Sequence, residues 1–523
     1  MGIYLNPNNW GFKESVNSEI YVDKSNLLRY TNKVFGTKQK NICVSRPRRF
    51  GKSMAAEMLS AYYSKGSDSA SIFDELKISA DESYKEHLNQ HNVIFINMQN
   101  FLSETHNASL MIDKITVKIG RELKKKYVDI DYAEDSSLPE MLDQVFAETE
   151  ERFVFIIDEW DCIFREKKEN ADGQMLYLDF LRNLLKDKYY VSLAYMTGIL
   201  PIKKYGSHSA LNMFDEYSMT DPGQMAEFVG FTENEVEELC RRYQMDFAEV
   251  RRWYDGYKVA DEAHVYNPRS VVAAMLSGRF SNYWSKTENY EALKVYIEMD
   301  FDGLKKTIVE LLAGGRAQVN PFTFQNDMTS FQSRDDVLTL LIHLGYLGYD
   351  EERQEVFVPN YEVSTEFVNA LQGQRWGNVV QAVKESDRAV RAIWNKDARA
   401  VEEAMENAHL ESSILTYNNE NSLACAISLA FYSARIYYTD IRELPSGKGF
   451  ADIVYLPRKN HLDKPAIIVE LKWDESVRGA IEQIKEKEYV RALEEYQGNL
   501  LLVAINYDKK TKKHQCKIEE FSI

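Results

Sequence analysis

No membrane-spanning helix is expected from this sequence. Its apolar runs, such as "FVFII" and "LLLVAI", have the length of strands and fall far short of the ~18 residues a span needs. The opening "MGIYLNPNNW" has no basic segment followed by an apolar one, so a secretory signal is not expected. Cysteine is scarce and scattered: Cys43, Cys162, Cys240, Cys425 and Cys516. With no C-x-x-C pair, neither a disulfide framework nor a zinc knuckle is indicated, and a reducing cytoplasm fits best. The nine histidines form no H-E-x-x-H cluster, which argues against a zinc hydrolase. His514 and Cys516 are too isolated to hold a metal. An excess of positive charge is missing too. A net charge of −17 argues against a surface coated in non-specific nucleic-acid contacts, while leaving room for a local basic channel.

What is present is the composition of a globular protein, 44% hydrophobic and 28% charged, in a 523-residue chain too long for one ordinary core. Two or three domains are expected. In the first part, strand-like runs alternate with helical segments: "NICVS" (41–45), "NVIFINM" (92–98), "RFVFIIDEWD" (152–161) and "YYVSLAYMTG" (189–198). That alternation predicts a parallel sheet covered by helices. From about 224 to 400 the chain reads as mostly helical. From about 405 it predicts a small α/β domain in the order α-β-β-β-α-β, with "DKKTKKHQCK" (508–517) as a solvated terminal hairpin or a basic patch for nucleic acid.

The stretch "SRPRRFGKSM" (45–54) lies between a strand and a helical segment. Its Gly51, Lys52 and Ser53 match the end of a phosphate-binding loop. There glycine lets backbone amides approach phosphate, lysine supplies charge and the hydroxyl serves Mg²⁺. Arg46 stands where the usual loop has its first glycine, so a basic surface turn is the alternative. "FVFIIDEWD" supplies the second half of such a site: Asp158 to hold Mg²⁺ through water and Glu159 to orient or deprotonate the attacking water. Thr197, at the end of a further strand, is placed to sense a γ-phosphate, although it also reads as an ordinary strand-end hydrogen bonder.

These motifs resemble the bacterial AAA-ATPase-like family, along with "YVDKSNLLRY" (21–30), "LNMFDEYSM" (211–219), "VGFTENEV" (229–236), "RRWYDGYKV" (251–259) and "VYNPRSV" (265–271). In that family the loop is usually R-P-R-R-F-G-K-S, so Arg46 is normal there. The resemblance implies ATP and Mg²⁺ as cofactors and nucleotide contacts along Arg46, Pro47, Arg48, Arg49, Phe50, Gly51, Lys52 and Ser53, with Asp158 and Thr197. It implies a helical lid bearing W-Y-D-G-Y, in which Trp253 and Tyr257 read as packing residues and Asp255-Gly256 as a turn. No role for Asp23 or Lys24 follows from their chemistry. AAA-type sites often take an arginine from a neighbouring copy, so a homo-oligomer is among the expected partners. Arg251 and Arg252 are the candidate arginines.

A second constellation sits near the C-terminus. "FADIVYL" and "AIIVELKW" place Asp452 on one strand and Glu470 and Lys472 on the next. Residues two apart on a strand share a face. Asp452 and Glu470 can ligate Mg²⁺, and Lys472 can position water or stabilise developing charge. Gln483 and Tyr489 follow on a helix. The pattern resembles the PD-(D/E)xK nuclease superfamily, with Glu443 and Glu420 as weaker acidic candidates and Phe450 where an arginine is frequent. The expected organisation is therefore α/β throughout. A P-loop AAA-type parallel sheet spans 1–223, a helical lid and linking region 224–404, and a PD-(D/E)xK nuclease-like domain 405–523. The expected function is ATP binding and hydrolysis, with nucleotide state controlling a Mg²⁺-dependent nuclease and nucleic acid as partner. The alternative is a nucleotide-driven switch whose nuclease-like domain holds nucleic acid or a partner without cutting.

Overall fold

A computed structural model describes the chain except residues 1, 167–170, 206–207, 260–261, 285–289, 300, 302, 329–330, 372–376, 412–425, 447–448, 459–460, 475, 487–498 and 522–523. Glu420 and Tyr489 lie outside the described residues, as do the side chains of Glu443 and Phe450. The chain divides into two compact units: Met1–Glu288 with Gln318–Val363, and Asn289–Ala317 with Ser364–Ile523. The middle stretch is thus shared between them.

The first unit is built on five parallel strands: β1 (Asn41–Ser45), β2 (Asn92–Asn97), β3 (Phe153–Asp158), β4 (Val191–Gly198) and β5 (Asp215–Tyr217), in the order β2-β3-β4-β1-β5. β1, β3 and β4 are buried along their whole length. That is the pattern of strands covered on both faces by helices. β4 is inserted between β1 and β3, and this separates the two halves of the candidate nucleotide site by one strand.

Helix α1 (Lys52–Tyr63) follows β1 directly. Gly51 at φ 94° starts it; a Cβ there would meet nothing within 4 Å, so backbone conformation rather than space requires glycine. The helix has no β-branched residue, and it buries Ala55, Ala56, Met58, Leu59, Tyr62 and Tyr63. Each large buried side chain contributes on the order of 1.5–3 kcal/mol relative to exposure.

The lid carries helices α2 (Glu233–Tyr243), α3 (Phe247–Tyr254) and α4 (Pro268–Ser277). Their starts are set by local chemistry: a Thr232/Glu235 capping box, the Asp246 side chain accepting from Glu249 N, and Asn267 followed by proline. The expected helical lid also contains a three-stranded antiparallel sheet formed by Phe231–Thr232, Glu262–Tyr266 and Tyr257–Val259. These strands are too short to produce a visible period.

The second unit has a five-stranded sheet of β6 (Tyr438–Ser446), β7 (Gly449–Pro457), β8 (Ala466–Trp473), β9 (Leu500–Asp508) and β10 (Lys513–Phe521), in sequential order. Only the β8–β9 pair is parallel. Parallel neighbours need a crossover, and α7 (Val477–Glu486) lies between them in the chain. Alternate residues face opposite cores. Val454, Ile468, Leu502 and Ala504 pack with Ala480, Ile481 and Ile484 of α7. Ile453, Val469, Leu471, Val503 and Ile505 pack with residues of α5 (Gly377–Trp394), α6 (Ala398–Glu411) and the helical residues 426–430. β10 corrects the expected six-element order. Its Cys516 and Ile518 pack inward while lysines, glutamine and glutamate alternate with them, so an edge strand reads as part of a solvated hairpin.

Candidate functional sites

In the first unit the strand ends fall into line. Val44 of β1 pairs with Thr197 of β4, and Asn97 of β2 pairs with Asp158 of β3. The Thr197 hydroxyl donates to Asp158 Oδ1, and Asn97 Nδ2 donates to Asp158 Oδ2 at 3.1 Å. Asp158 is 2% exposed. Each of its oxygens keeps a lone pair beyond the one engaged, so the donor set fits a Mg²⁺ held through water. Ser53 is exposed one residue beyond Lys52.

Lys52 is buried and its ammonium donates to Pro47 O at 2.9 Å. Burial lowers its pKa, opposed by the charges of Glu159, Asp161 and Asp158. Glu159 takes φ 56°, a left-handed conformation that redirects the chain as it leaves β3. Burial raises the Glu159 carboxyl, against the pull of Arg165 and Lys52. Arg165 forms an ion pair with Glu159, and its Nε lies 3.2 Å from Asp161 Oδ2. That same oxygen accepts the amides of Ile199 (3.0 Å) and Leu200 (2.8 Å), just past the end of β4. A chain of ion pairs from Glu159 through Arg165 to Asp161, continued by two hydrogen bonds, therefore reaches the backbone that follows Thr197. Gly198 closes it: a Cβ there would come within 2.5 Å of the Trp160 ring.

The loop arginines divide. Arg46, expected at the phosphates, is fully buried. Its Nη1 donates to Ser45 O (2.9 Å) and Tyr217 O (3.2 Å), and its Nη2 to Met225 O (3.4 Å). Its guanidinium ties the loop to the end of β5, and burial lowers its pKa to about 10. Arg48 and Arg49 are exposed, with Arg49 at φ 68°. Phe50 is buried edge-on against Tyr257, their ring centroids 5.3 Å apart. Pro47 packs where Gly345 leaves room, since a Cβ on Gly345 would come within 2.8 Å of it.

Beside Gly51 opens a cleft of about 390 Å³, lined among others by Tyr21, Val22, Phe50, Met54, Phe231 and Arg269. Its walls are mainly apolar, with a few charged groups. Arg269, in the first turn of α4, was not singled out from sequence, and neither were Asn97, Asp161 and Arg165. Asp161 had a signal as the second aspartate of "DEWD". The others needed the register.

The remaining lid and N-terminal motifs are structural ties. Asp23 accepts from Ser25 N and Lys77 N, and Lys24 donates to Glu235 and to Glu227 O. Tyr257 packs as expected, its hydroxyl donating to Gly345 O at 2.6 Å. Trp253 meets the Tyr361 ring edge-on. Asp255 does more than turn the chain, bonding His264 at 2.6 Å with Arg251 3.5 Å away. Arg251 also contacts His264, and Arg252 pairs with Glu249 and stacks on Tyr361.

In the second unit, β7 and β8 run antiparallel with Ile453 opposite Val469. Asp452 and Glu470 are therefore neighbours on the α7 face. Asp452 Oδ2 accepts from Leu471 N at 2.7 Å. Glu470 is 2% exposed, and its Oε1 accepts from Lys472 Nζ at 3.3 Å and from Gln483 Nε2. The four expected residues thus come together. Two carboxylates on adjacent strands form an oxygen donor set suited to a hard divalent cation. Among the described residues no cluster of three or more acidic, histidine or cysteine ligands is present, so any such ion would need other ligands, as Mg²⁺ usually has.

The first unit is thus a P-loop fold with its strand-end polar residues in one row, and the second is a mixed sheet carrying a D…E-x-K face. Residues 12–207 match the family model of predicted AAA-ATPases, and residues 418–517 match that of the PD-(D/E)XK nuclease superfamily. The chain joins an AAA-ATPase-like region to a PD-(D/E)XK nuclease-like region. A similar curated protein is the uncharacterized protein in the vnfD 5′ region of Azotobacter chroococcum mcd 1, 26% identical over 251 residues. The alignment covers 47% of this chain and 46% of that protein, so the chain spans about half the length of the curated relative it matches. Among solved structures, the Walker-type ATPase paby2304 of Pyrococcus abyssi is 14% identical, with 66% of this chain and 94% of that one covered and a TM-score of 0.34. The ORC2 protein of Aeropyrum pernix is 12% identical, with 68% and 97% covered and a TM-score of 0.31. Among the described residues no helix is long and apolar enough to cross a membrane.

Proposed function

We propose that the AAA-ATPase-like region binds and hydrolyses ATP and that its nucleotide state controls phosphodiester cleavage by the nuclease-like region. The observation behind the first half is the row Asn97–Asp158–Thr197 beside buried Lys52 and Glu159. Lys52 neutralises phosphate charge, and Ser53 and Asp158 hold Mg²⁺. Glu159 orients the attacking water, and Thr197 links the phosphate end to Asp158. The apolar cleft beside Gly51 takes the nucleobase, and Arg269 on its wall approaches the nucleotide from the lid. In the second region Asp452 and Glu470 hold a divalent ion. When bound, that ion supplies positive charge at the phosphate and a more acidic water. Lys472 stabilises negative charge on the phosphate, and Gln483 fixes the Glu470 carboxylate.

Control of one region by the other is supported by their sharing a chain. The test measures ATP turnover and the cleavage of DNA and RNA, with and without ATP, by wild type, Lys52→Ala and Lys472→Ala. Unchanged turnover in Lys52→Ala removes the ATPase half. Cleavage by Lys472→Ala equal to wild type removes the nuclease half, and cleavage indifferent to ATP removes the coupling. A second reading, a nucleotide switch whose nuclease-like region binds without cutting, is favoured by one feature: Glu470 is already bonded by both Lys472 and Gln483. Binding of nucleic acid without cleavage under any divalent ion would select it.

A further inference from the structure

The turn between β9 and β10 carries Lys509, Lys510, Lys512 and Lys513, all exposed. None of the four forms an ion pair among the described residues, whereas nearby Lys485 and Lys517 pair with Glu519 at 2.6 Å and Lys396 pairs with Glu520. The turn is anchored. Asp474, just past β8, accepts from Lys509 N at 2.6 Å, and Asp508 accepts from Lys510 N and Thr511 N at 2.8 and 2.9 Å. Four exposed ammonium groups outside any ion pair among the described residues, with Asp508 the carboxylate facing Lys510, stand on a fixed turn in a chain of net charge −17.

Register says which way this edge faces. Glu470 and Lys472 of β8 pair with Ala504 and Asn506 of β9, and these pair with Lys517 and Gln515 of β10. One step further, Asp508 pairs with Lys513. Cross-strand partners point to the same side of a sheet. Ala504 packs in the α7 core, while Cys516 and Ile518 pack against the opposite one. Lys513, Gln515 and Lys517 therefore share the face of Asp452, Glu470 and Lys472. With strands ~4.8 Å apart, Lys517 is two strands, roughly 10 Å, from Glu470. The one acidic side chain of β10 next along that face, Glu519, is neutralised by Lys485 and Lys517.

We propose that this edge is a phosphate track. A nucleic-acid strand engaged at Asp452 and Glu470 runs past the exposed Gln515 onto the lysines of the 509–513 turn, which hold its backbone without reading its bases. The inference rests on the second region being a nucleic-acid site, and it holds whether or not that site cuts.

The experiment uses the full chain in EDTA, so that no cleavage occurs. Binding of a labelled 30-base-pair DNA duplex and of a labelled RNA single strand is measured from about 0.05 to 0.3 M salt. The variants are Lys510→Gln/Lys512→Gln/Lys513→Gln, the same three sites changed to Arg, and Lys124→Gln/Lys125→Gln in the first unit as a control. Each phosphate contact adds about −0.9 to the slope of log affinity against log salt on a duplex. The triple glutamine variant should lose tenfold or more in affinity near 0.15 M salt, with a slope shallower by about 2 to 3. The arginine variant and the control should match wild type, and all should melt within a degree or two of it. The proposal is overturned if the glutamine variant keeps wild-type affinity and slope. It also falls if wild type binds neither nucleic acid, or if anionic lipid vesicles or polyglutamate bind the turn as tightly as nucleic acid does. Loss of binding in the glutamine variant, together with no cleavage by wild type in Mg²⁺, would sink the cleavage reading and leave the track standing.

Discussion

In the first unit the acidic side chains of the candidate site also act as structural ties. In the second, Asp452 and Glu470 bond groups of the adjoining strand and helix. Asp161 binds two backbone amides beyond β4 and sits beside a buried arginine, which in turn grips Glu159. Asp452 bonds Leu471 N, and Glu470 bonds Lys472 and Gln483, all within the adjoining strand and α7. Chemistry and stability are therefore expected to be inseparable in the nucleotide region and separable in the nuclease-like region.

The sharpest way to break that contrast is Asp161→Ala. It takes from buried Arg165 one of its two ion-pair partners among the described residues and frees two amides at the end of β4. Losing one partner of a buried pair costs about 3–5 kcal/mol. Denaturant unfolding should register that loss, and ATP turnover should collapse with it. A variant as stable as wild type would show that the bonded chain is not a structural tie.

Next in size is Lys472→Ala. Cleavage should fall about 10²–10³-fold, the scale seen when one charge-stabilising donor is removed from a transition state, while the melting temperature stays within a degree or two. A large drop in melting temperature would erase the distinction between the regions.

A third test concerns acid. His343 is 1% exposed in the first unit, and burial, then the charges of Lys204 and Arg46, lower its pKa to about 3 from an ordinary 6.5. The folded state keeps it neutral while the unfolded chain protonates. Its contribution to stability is thus full above pH 6.5 and declines as pH falls toward 3, by about 2 kcal/mol at pH 5. His343→Leu should lose less stability between pH 7 and 5 than wild type does, measured by urea unfolding at each pH. An identical pH dependence would remove His343 as the cause.

The smallest effect is expected of Thr197→Val, which deletes one hydrogen bond to Asp158. It should cost about 1–2 kcal/mol of stability and lower kcat more than it raises KM for ATP. A pure KM effect would place Thr197 in binding alone.

Much of this was legible in the chain. β1, β3 and β4 stand out as apolar runs bounded by motif residues, and Asp452, Glu470, Lys472 and Gln483 follow from the two-residue alternation of strands and a helix that returns over them. What was illegible depended on three-dimensional register or burial. Asn97 matters because β2 lies beside β3, a neighbour relation no local spacing encodes. Arg165 becomes meaningful only once Asp161 is known to point toward the end of β4. Arg46 misled because a basic residue beside a phosphate loop looks like a phosphate ligand, and its burial cannot be read from charge. β10 was hidden by its polar alternate residues, and the lid sheet by strands of two to five residues.

Arg46 also bears on how such loops are found and altered. Its three donor contacts occupy the position where a standard loop places a hydrogen-atom side chain. A pattern demanding glycine there would pass over this chain, although the strand, the turn and the helix are all in place. Nor would writing the missing glycine back in repair anything. Arg46→Gly would leave a side-chain-sized hole and take the guanidinium's hydrogen bonds from the carbonyls of Ser45, Tyr217 and Met225. The arginine is the keystone of a different loop design, in which a long side chain fastens the loop from behind and leaves its front to the residues after it.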